Sequence, residues 1–463
     1  MKQPVLAELG IFAAELHYEA LPEEVRQRAG WVLADTLAAM VAGAAEPEVI
    51  RLANAMPSVG SANLLGLGRK TLEDYAALLN GTAGTVLEMD EGNRFARGHP
   101  AIHVIPAALA VVQSDPSVPQ EERGARFMAA MVAGYEVAAR MGAASVLRGA
   151  MHPHGTWGTL GAAAAAARVL GFSSSEMAES INLASAMTIA TSKQTMFEGG
   201  LVRNVYAGLS NRQGILAVRL CQAGFNGEIN GPASLFGKIV SETFDTAAVL
   251  RDLGGYWQIL QNYFKLHSCC RYNHGALDAI DLLQKKDELP HPNEIASIEV
   301  QTYHLAAELL DPAPVNTLAA KFSLPFAVAT RLVHGNSALT SFTWEAVQNP
   351  AARALAARVR VMENPEMSRR LPLERPARVT ILTHHGDRYS AEVGANRGDD
   401  ALPYTAEELS HKFVSLVSRV WPVSHAQALL AATLRLAEYA EGFDHWSSLL
   451  DFPTSLDTHY GTV

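Results

Sequence analysis

Six consecutive alanines, Ala162–Ala167, constrain this chain more than any other stretch. Alanine has the best helix propensity and almost no side chain to keep neighbours away. The run, set within Gly158–Leu170, therefore predicts a buried helix that other helices approach closely. Similar small-residue faces recur in Pro22–Ala45, Leu72–Met89, Ala101–Gln113, Gly124–Met141, Ser175–Ile189 and Asn204–Ala223. Pro22 and the acids after it give the first of these a well-marked start. The pattern implies a layered helical bundle.

The texture changes after Lys265. Ile295–Tyr303 alternates and is β-branched, which predicts a strand. Ala377–Thr383 and Arg388–Val393, on either side of His-His-Gly-Asp, predict a hairpin. Helical stretches at Asp278–Lys285, Ala319–Val333 and Trp344–Val359 lie between the strands, and Thr405–Leu450 returns to helix. The expected fold is mainly α: a large all-helical domain, residues 1–266 and 399–463, with a smaller α+β lid domain, residues 267–398, inserted in it. A ligand pocket is expected between the two.

At 463 residues and a formal net charge of −10, the chain has no basic run, so nucleic acid is not an expected partner. No stretch is apolar enough to suggest a membrane span or a signal peptide. Three cysteines, Cys221, Cys269 and Cys270, fit a reducing, cytoplasmic setting better than a disulfide framework. The adjacent pair reads as small buried hydrophobes rather than nucleophiles.

Titratable residues cluster at three places. Residues 88–99 hold Glu88, Asp90, Glu91, Arg94, Arg97 and His99 between two helices. His103 follows as a packing residue. His152 and His154 flank Pro153 just ahead of the alanine-rich helix, where free N–H groups favour an anion. Lys265, His267, Arg271 and His274 fall within ten residues at the expected domain junction. Lys193 and Arg203 flank a Gly-Gly turn. Each group has a plainer alternative: a solvated polar loop for 88–99, a histidine-containing loop capping a core helix for His152 and His154, surface charge for 265–274, and ordinary loop charges for Lys193 and Arg203. Metal motifs, phosphate loops and a nucleophile elbow are all missing from the sequence. What is left is a cofactor-free set of imidazoles, cations and a few acids. It suits removal of a proton alpha to a carboxylate, with cations holding the substrate's carboxylates.

Eight segments together resemble the MmgE/PrpD family, which includes 2-methylcitrate dehydratase, cis-aconitate decarboxylase and iminodisuccinate epimerase. They are ADTLAAMVAG (34–43), LLNGTAGTVLEMDEG (78–92), GHPAIHVIPAALA (98–110), GYEVAARMG (134–142), MHPHGTWGTLGAAAAAARVLG (151–171), GFNGEINGPASLFG (224–237), FKLHSCCRYNHGALDAI (264–280) and KFSLPFAVA (321–329). The resemblance implies a homodimer without obligatory metal or nucleotide. It also implies functional roles for the acid turn Glu88, Asp90 and Glu91, and for His99, His152, Lys193, Lys265 and His274. This chain reads Glu-Met-Asp-Glu-Gly where dehydratase- and decarboxylase-like members read Asp-x-Asp-Asp-Thr, and it has Phe326 where many have tyrosine.

The resulting expectation is a lyase for a small di- or tricarboxylic acid. His99, His152, Asp90 and Lys265 are its catalytic candidates. Lys193, Arg94, Arg203, Arg271, His274 and His154 are its substrate-binding candidates. The altered acid turn keeps an epimerase using the same carbanion as an alternative, and a non-catalytic binding protein as a third.

Overall fold

The computed structural model describes residues 4–438 and 442–453. The fold is mainly α with a small α+β region. At its centre is helix Trp157–Val169, all of whose residues are buried. Helices Arg123–Ala143 and Tyr206–Gln222 pack on it. The small residues set the spacing: a Cβ on Gly134 would lie 2.6 Å from the Gly161 carbonyl oxygen and 2.8 Å from the Ala165 Cβ. A bulkier residue there would separate the helices and forfeit close packing. Helices Glu23–Gly43 and Glu73–Val86 add a further layer.

Apolar residues of 6–264 form one continuous core with those of 404–450. The C-terminal part is three helices, Ala406–Val417, Val423–Leu434 and Gly442–Leu450, rather than a continuous run. The first opens with a Thr405/Glu408 capping box, and Pro422 stands just before the second. A second core gathers apolar residues between Ala276 and Ala391 with Met196 from the helical part, and a third lies around Phe326 and Phe342. Among the described residues, no helix is long and apolar enough to cross a membrane.

The α+β region is built on a four-stranded sheet in the order Arg388–Val393, Ala377–Thr383, Ile295–Thr302, Val359–Glu363. The first two strands form the expected hairpin, with Gly386 at φ 93° in its turn. Val300 sits opposite Val379 on one side and Val361 on the other. The Val359–Glu363 strand was not anticipated. It runs parallel to Ile295–Thr302, as a helical crossover allows.

Three expected helices differ in detail, each for a local reason. Trp344–Val359 is two helices, Trp344–Gln348 and Pro350–Ala356, because the Asn349 side chain caps a new start at Pro350. Ala319–Val333 likewise divides into Thr317–Lys321 and Leu324–His334, where Ser323 caps the second. Ala101–Gln113 begins as a 3-10 turn, Ala101–His103, before helix Ile105–Ser114, since Pro106 has no N–H for a continuous helix. A short hairpin, Ala62–Leu64 with Arg69–Thr71, was also unforeseen.

Candidate active site

Segments distant in sequence enclose a cavity of about 180 Å³. Glu88, Arg97–His99, His152–His154, Trp157, Lys193 and Arg203 line one part of it. Tyr263, Cys270, Arg271, Tyr272, Phe322 and Arg375 line another. Six cationic side chains reach the wall: Arg97, Arg148, Lys193, Arg203, Arg271 and Arg375. Among the described residues Glu88 is the one carboxylate there. On a chain of net charge −10, this is a local positive well.

The acid turn follows helix Glu73–Val86. Glu88 takes a left-handed conformation, φ 53°, that turns the chain inward. Its carboxylate pairs with Arg203 and lies 3.4 Å from the Lys265 ammonium. Asp90 is 3.6 Å from Lys265 and 3.0 Å from His99 Nδ1. Burial pushes both carboxyls up. Arg203 and Lys265 outweigh it at Glu88, and His99 and Lys265 at Asp90, so both are held below the usual range. Reciprocally, burial opposes the Lys265 charge, but Glu88 and Asp90 raise its pKa above the ordinary lysine value. Two further lysines tie down this turn: Lys321 donates to the Val86 carbonyl at 2.8 Å and Lys412 to that of Met89 at 2.6 Å.

The imidazoles differ in which nitrogen is committed. His99 Nδ1 lies 2.7 Å from the Glu91 carbonyl oxygen and 3.0 Å from Asp90 Oδ2. Both are acceptors, so Nδ1 carries the proton and Nε2 of the neutral ring is a lone pair. In contrast, His152 Nδ1 accepts the His154 backbone N–H at 3.1 Å. Its proton therefore resides on Nε2. Thr191 holds this loop through Oγ1 bonds to the His152 and His154 carbonyls. Burial, then Arg203, lowers the pKa of both His152 and His154 well below the histidine value. His154 stands edge-on to His99, His152 and His103. His103 itself is buried against Trp157 and Gly158, where a Cβ would lie 2.3 Å from its ring, and burial takes its pKa down to about 3.

Glu91 has a different environment. It is fully buried, accepts from Ala101 N at 2.9 Å and from the Tyr135 hydroxyl at 3.1 Å, and is pushed up to about 8, chiefly by burial. The folded protein thus binds a proton that the unfolded chain releases near the ordinary glutamate pKa. Unfolding free energy is expected to fall as pH rises from about 4.5 towards 8 through this group. Urea denaturation of Glu91→Gln across that range should show a flatter profile; an identical slope would remove Glu91 from the explanation.

The other sequence candidates are distributed as follows. His99, His152, His154, Lys193, Arg203 and Arg271 line the cavity. Lys265 and Asp90 lie behind that wall and act on it through Glu88 and His99. Arg94 points elsewhere, its guanidinium 3.0 Å from Asp400, because the turn before Gly98 directs it across the surface. His274 is not on the wall either. Its Nδ1 accepts from Arg271 and its Nε2 lies 3.3 Å from the Cys269 carbonyl, so both nitrogens are in use. Arg271 is held by this contact and by Asp399 at 2.8 Å. Lys193 pairs with Glu308. Cys269 is buried as expected, whereas Cys270 reaches the cavity, with its thiol pushed up to about 11 mainly by burial. Phe326 is fully buried and off the cavity wall. Sequence reading gave no role to Tyr263, Tyr272 or Arg375, all of which line the cavity. Tyr263 and Tyr272 bracket the segment 264–271, but nothing in Glu-Arg-Pro-Ala marks Arg375.

Comparison with known proteins agrees with this architecture. The MmgE/PrpD N-terminal domain matches residues 7–238 and the C-terminal domain residues 267–438. The chain belongs to the MmgE/PrpD family. It is 25% identical to the cis-aconitate decarboxylase-like protein oryM of Aspergillus oryzae, over 94% of this chain and 95% of that protein. It is 23% identical to a cis-aconitate decarboxylase of Aspergillus terreus, over 94% of each chain. The human cis-aconitate decarboxylase is also 23% identical, over 90% of this chain and 89% of its own. These relatives support an enzyme of the dehydratase or decarboxylase type.

Proposed function

We propose that this protein is a lyase that removes water or carbon dioxide from a small di- or tricarboxylic acid through a carbanion alpha to a carboxylate. One observation carries the reading: in a cavity lined by cations, His99 offers a lone pair on Nε2 while His152 offers a proton on Nε2.

For dehydration, His99 Nε2 takes the alpha proton, and the C–H electron pair moves onto the adjoining carboxylate. Arg203 and Lys193 lie on the wall to offset that charge. As the C=C bond forms, the C–O bond at the next carbon breaks. The departing hydroxyl takes the His152 Nε2 proton and leaves as water; the imidazolate left at His152 has Arg203 as a neighbouring positive charge and regains a proton from solvent after product leaves, as the His99 imidazolium loses one. Asp90 keeps His99 in the required tautomer and favours the imidazolium that forms. For decarboxylation, a C–C bond to a carboxylate breaks instead, and the His152 proton is delivered to carbon.

A base and an acid on two separate loops also suit an epimerase, in which one ring removes the proton and the other returns one to the opposite face. Incubation with citrate, cis-aconitate and amino-dicarboxylates in D₂O, followed by NMR, separates the readings. The lyase predicts vinyl signals appearing or being consumed. Exchange with inversion and no alkene establishes the epimerase instead. No turnover of any acid, with ligand affinity unchanged in His152→Ala, indicates a binding protein.

A further inference from the structure

We infer that Arg375 is the anchor for a second substrate carboxylate, remote from the reacting carbon; this rests on the polycarboxylate reading above. Arg375 lies just before strand Ala377–Thr383, in the C-terminal part of the family fold. It lines the cavity although it is only 5% exposed. Its guanidinium carbon sits 5.5 Å from the centre of the Tyr263 ring and 5.6 Å from that of Tyr272. Nη2 donates to the Arg94 backbone carbonyl at 3.1 Å. Nη1 is buried with no hydrogen-bond partner, and among the described residues no carboxylate lies within ion-pair distance.

The other buried or partly buried cations on the wall each have a carboxylate in ion-pair range, although Arg203 Nε, like Arg375 Nη1, is buried without an acceptor. Arg203 has Glu88, Arg271 has Asp399 and Lys193 has Glu308. Arg148 donates to the carbonyls of Lys238 and Ile239, and Arg97 is solvent-exposed. A guanidinium cannot shed its charge by deprotonating, so a buried one needs an anion or ring faces around it. Here the two tyrosine rings supply part of that compensation, and a free N–H edge remains. Arg271 Nε is also buried without an acceptor, and Arg271 lies 4.5 Å over the same Tyr263 ring. A carboxylate is the ligand that satisfies such a free guanidinium edge and its charge together.

The Tyr263 ring centre is 6.4 Å from that of His99 and 5.5 Å from the Arg375 guanidinium carbon. In this assignment Tyr263 relates the two places, and a group held by Arg375 is a different one from the carboxylate next to the carbon that His99 addresses. The carboxylate whose alpha proton is taken falls to Arg203 and Lys193, and a more distant one to Arg375. Arg375 then selects polyacids over monoacids.

Isothermal titration of tricarballylate and butyrate into the wild type, Arg375→Gln and Arg375→Lys tests this. Tricarballylate is a saturated tricarboxylate that cannot turn over by elimination, and butyrate has a single carboxylate. The wild type should bind tricarballylate much more tightly than butyrate. Arg375→Gln should weaken tricarballylate by about 10–100-fold, the worth of a charge-assisted pair, and leave butyrate unchanged. Arg375→Lys keeps the charge but loses the fork, so an intermediate loss is expected; it also serves if Arg375→Gln does not fold. Tricarballylate binding as tight as wild type in both folded variants overturns the Arg375 assignment and leaves the lyase reading standing. A wild type that binds no polyacid, and turns over none in the D₂O experiment, overturns both.

Discussion

Replacing Lys265 by methionine is expected to destabilise the protein by about 3–5 kcal/mol near pH 7, the range for breaking a buried ion pair by removing one partner. The ammonium is fully buried between Glu88 and Asp90, so its loss leaves two interior carboxylates with less positive charge around them. The pH dependence identifies the cause. Glu88 and Asp90 have folded pKa values below their ordinary ones. Such groups contribute stability above the unfolded pKa, near 4–5, that disappears as pH falls through the folded values. Without Lys265 that contribution shrinks, so the gap between variant and wild type should be largest above about pH 5 and narrow in acid. Urea midpoints at several pH values measure it. A variant as stable as wild type with a raised KM would show that Lys265 contacts substrate directly instead.

The second large effect concerns His99, the proposed base. In His99→Asn the side-chain amide can still donate towards the Glu91 carbonyl and Asp90, while the Nε2 lone pair is gone. We expect kcat to fall by about 10²–10⁴, the usual span for a general base, with KM changed only a few-fold. Steady-state kinetics on the acid identified by NMR decides this. Retention of more than a tenth of kcat would remove His99 from the proton-transfer step.

Much of the fold was legible because it is written locally. The alanine run, the proline-marked helix start and the alternating strands around His-His-Gly-Asp each specify their element within a few residues. The Val359–Glu363 strand was lost because it is short and follows helix signals directly; only its parallel neighbour makes it a strand. The histidine loops were visible as unusual residue types beside helix starts. Roles within the site were less accessible. His274 and Lys265 look alike in sequence to Arg271, yet one has both nitrogens engaged and the other is sealed behind Glu88. The tautomers of His99 and His152 depend on a carbonyl eight residues upstream of His99 and a backbone N–H two residues beyond His152. Arg375 has meaning only once Tyr263, more than a hundred residues away, is beneath it.

The helices of 404–450 complete the core begun by residues 6–264. The buried Asp35–Lys412 pair joins the earliest and latest parts of that core across 377 residues. During synthesis on a ribosome, Asp35 is made long before its counter-ion emerges. Until then the nascent bundle has an open flank of apolar surface and an interior acid awaiting its cation. Such a chain stays exposed to self-association for most of its production. Truncating it ahead of Lys412 should therefore yield an aggregating product rather than a smaller, stable bundle.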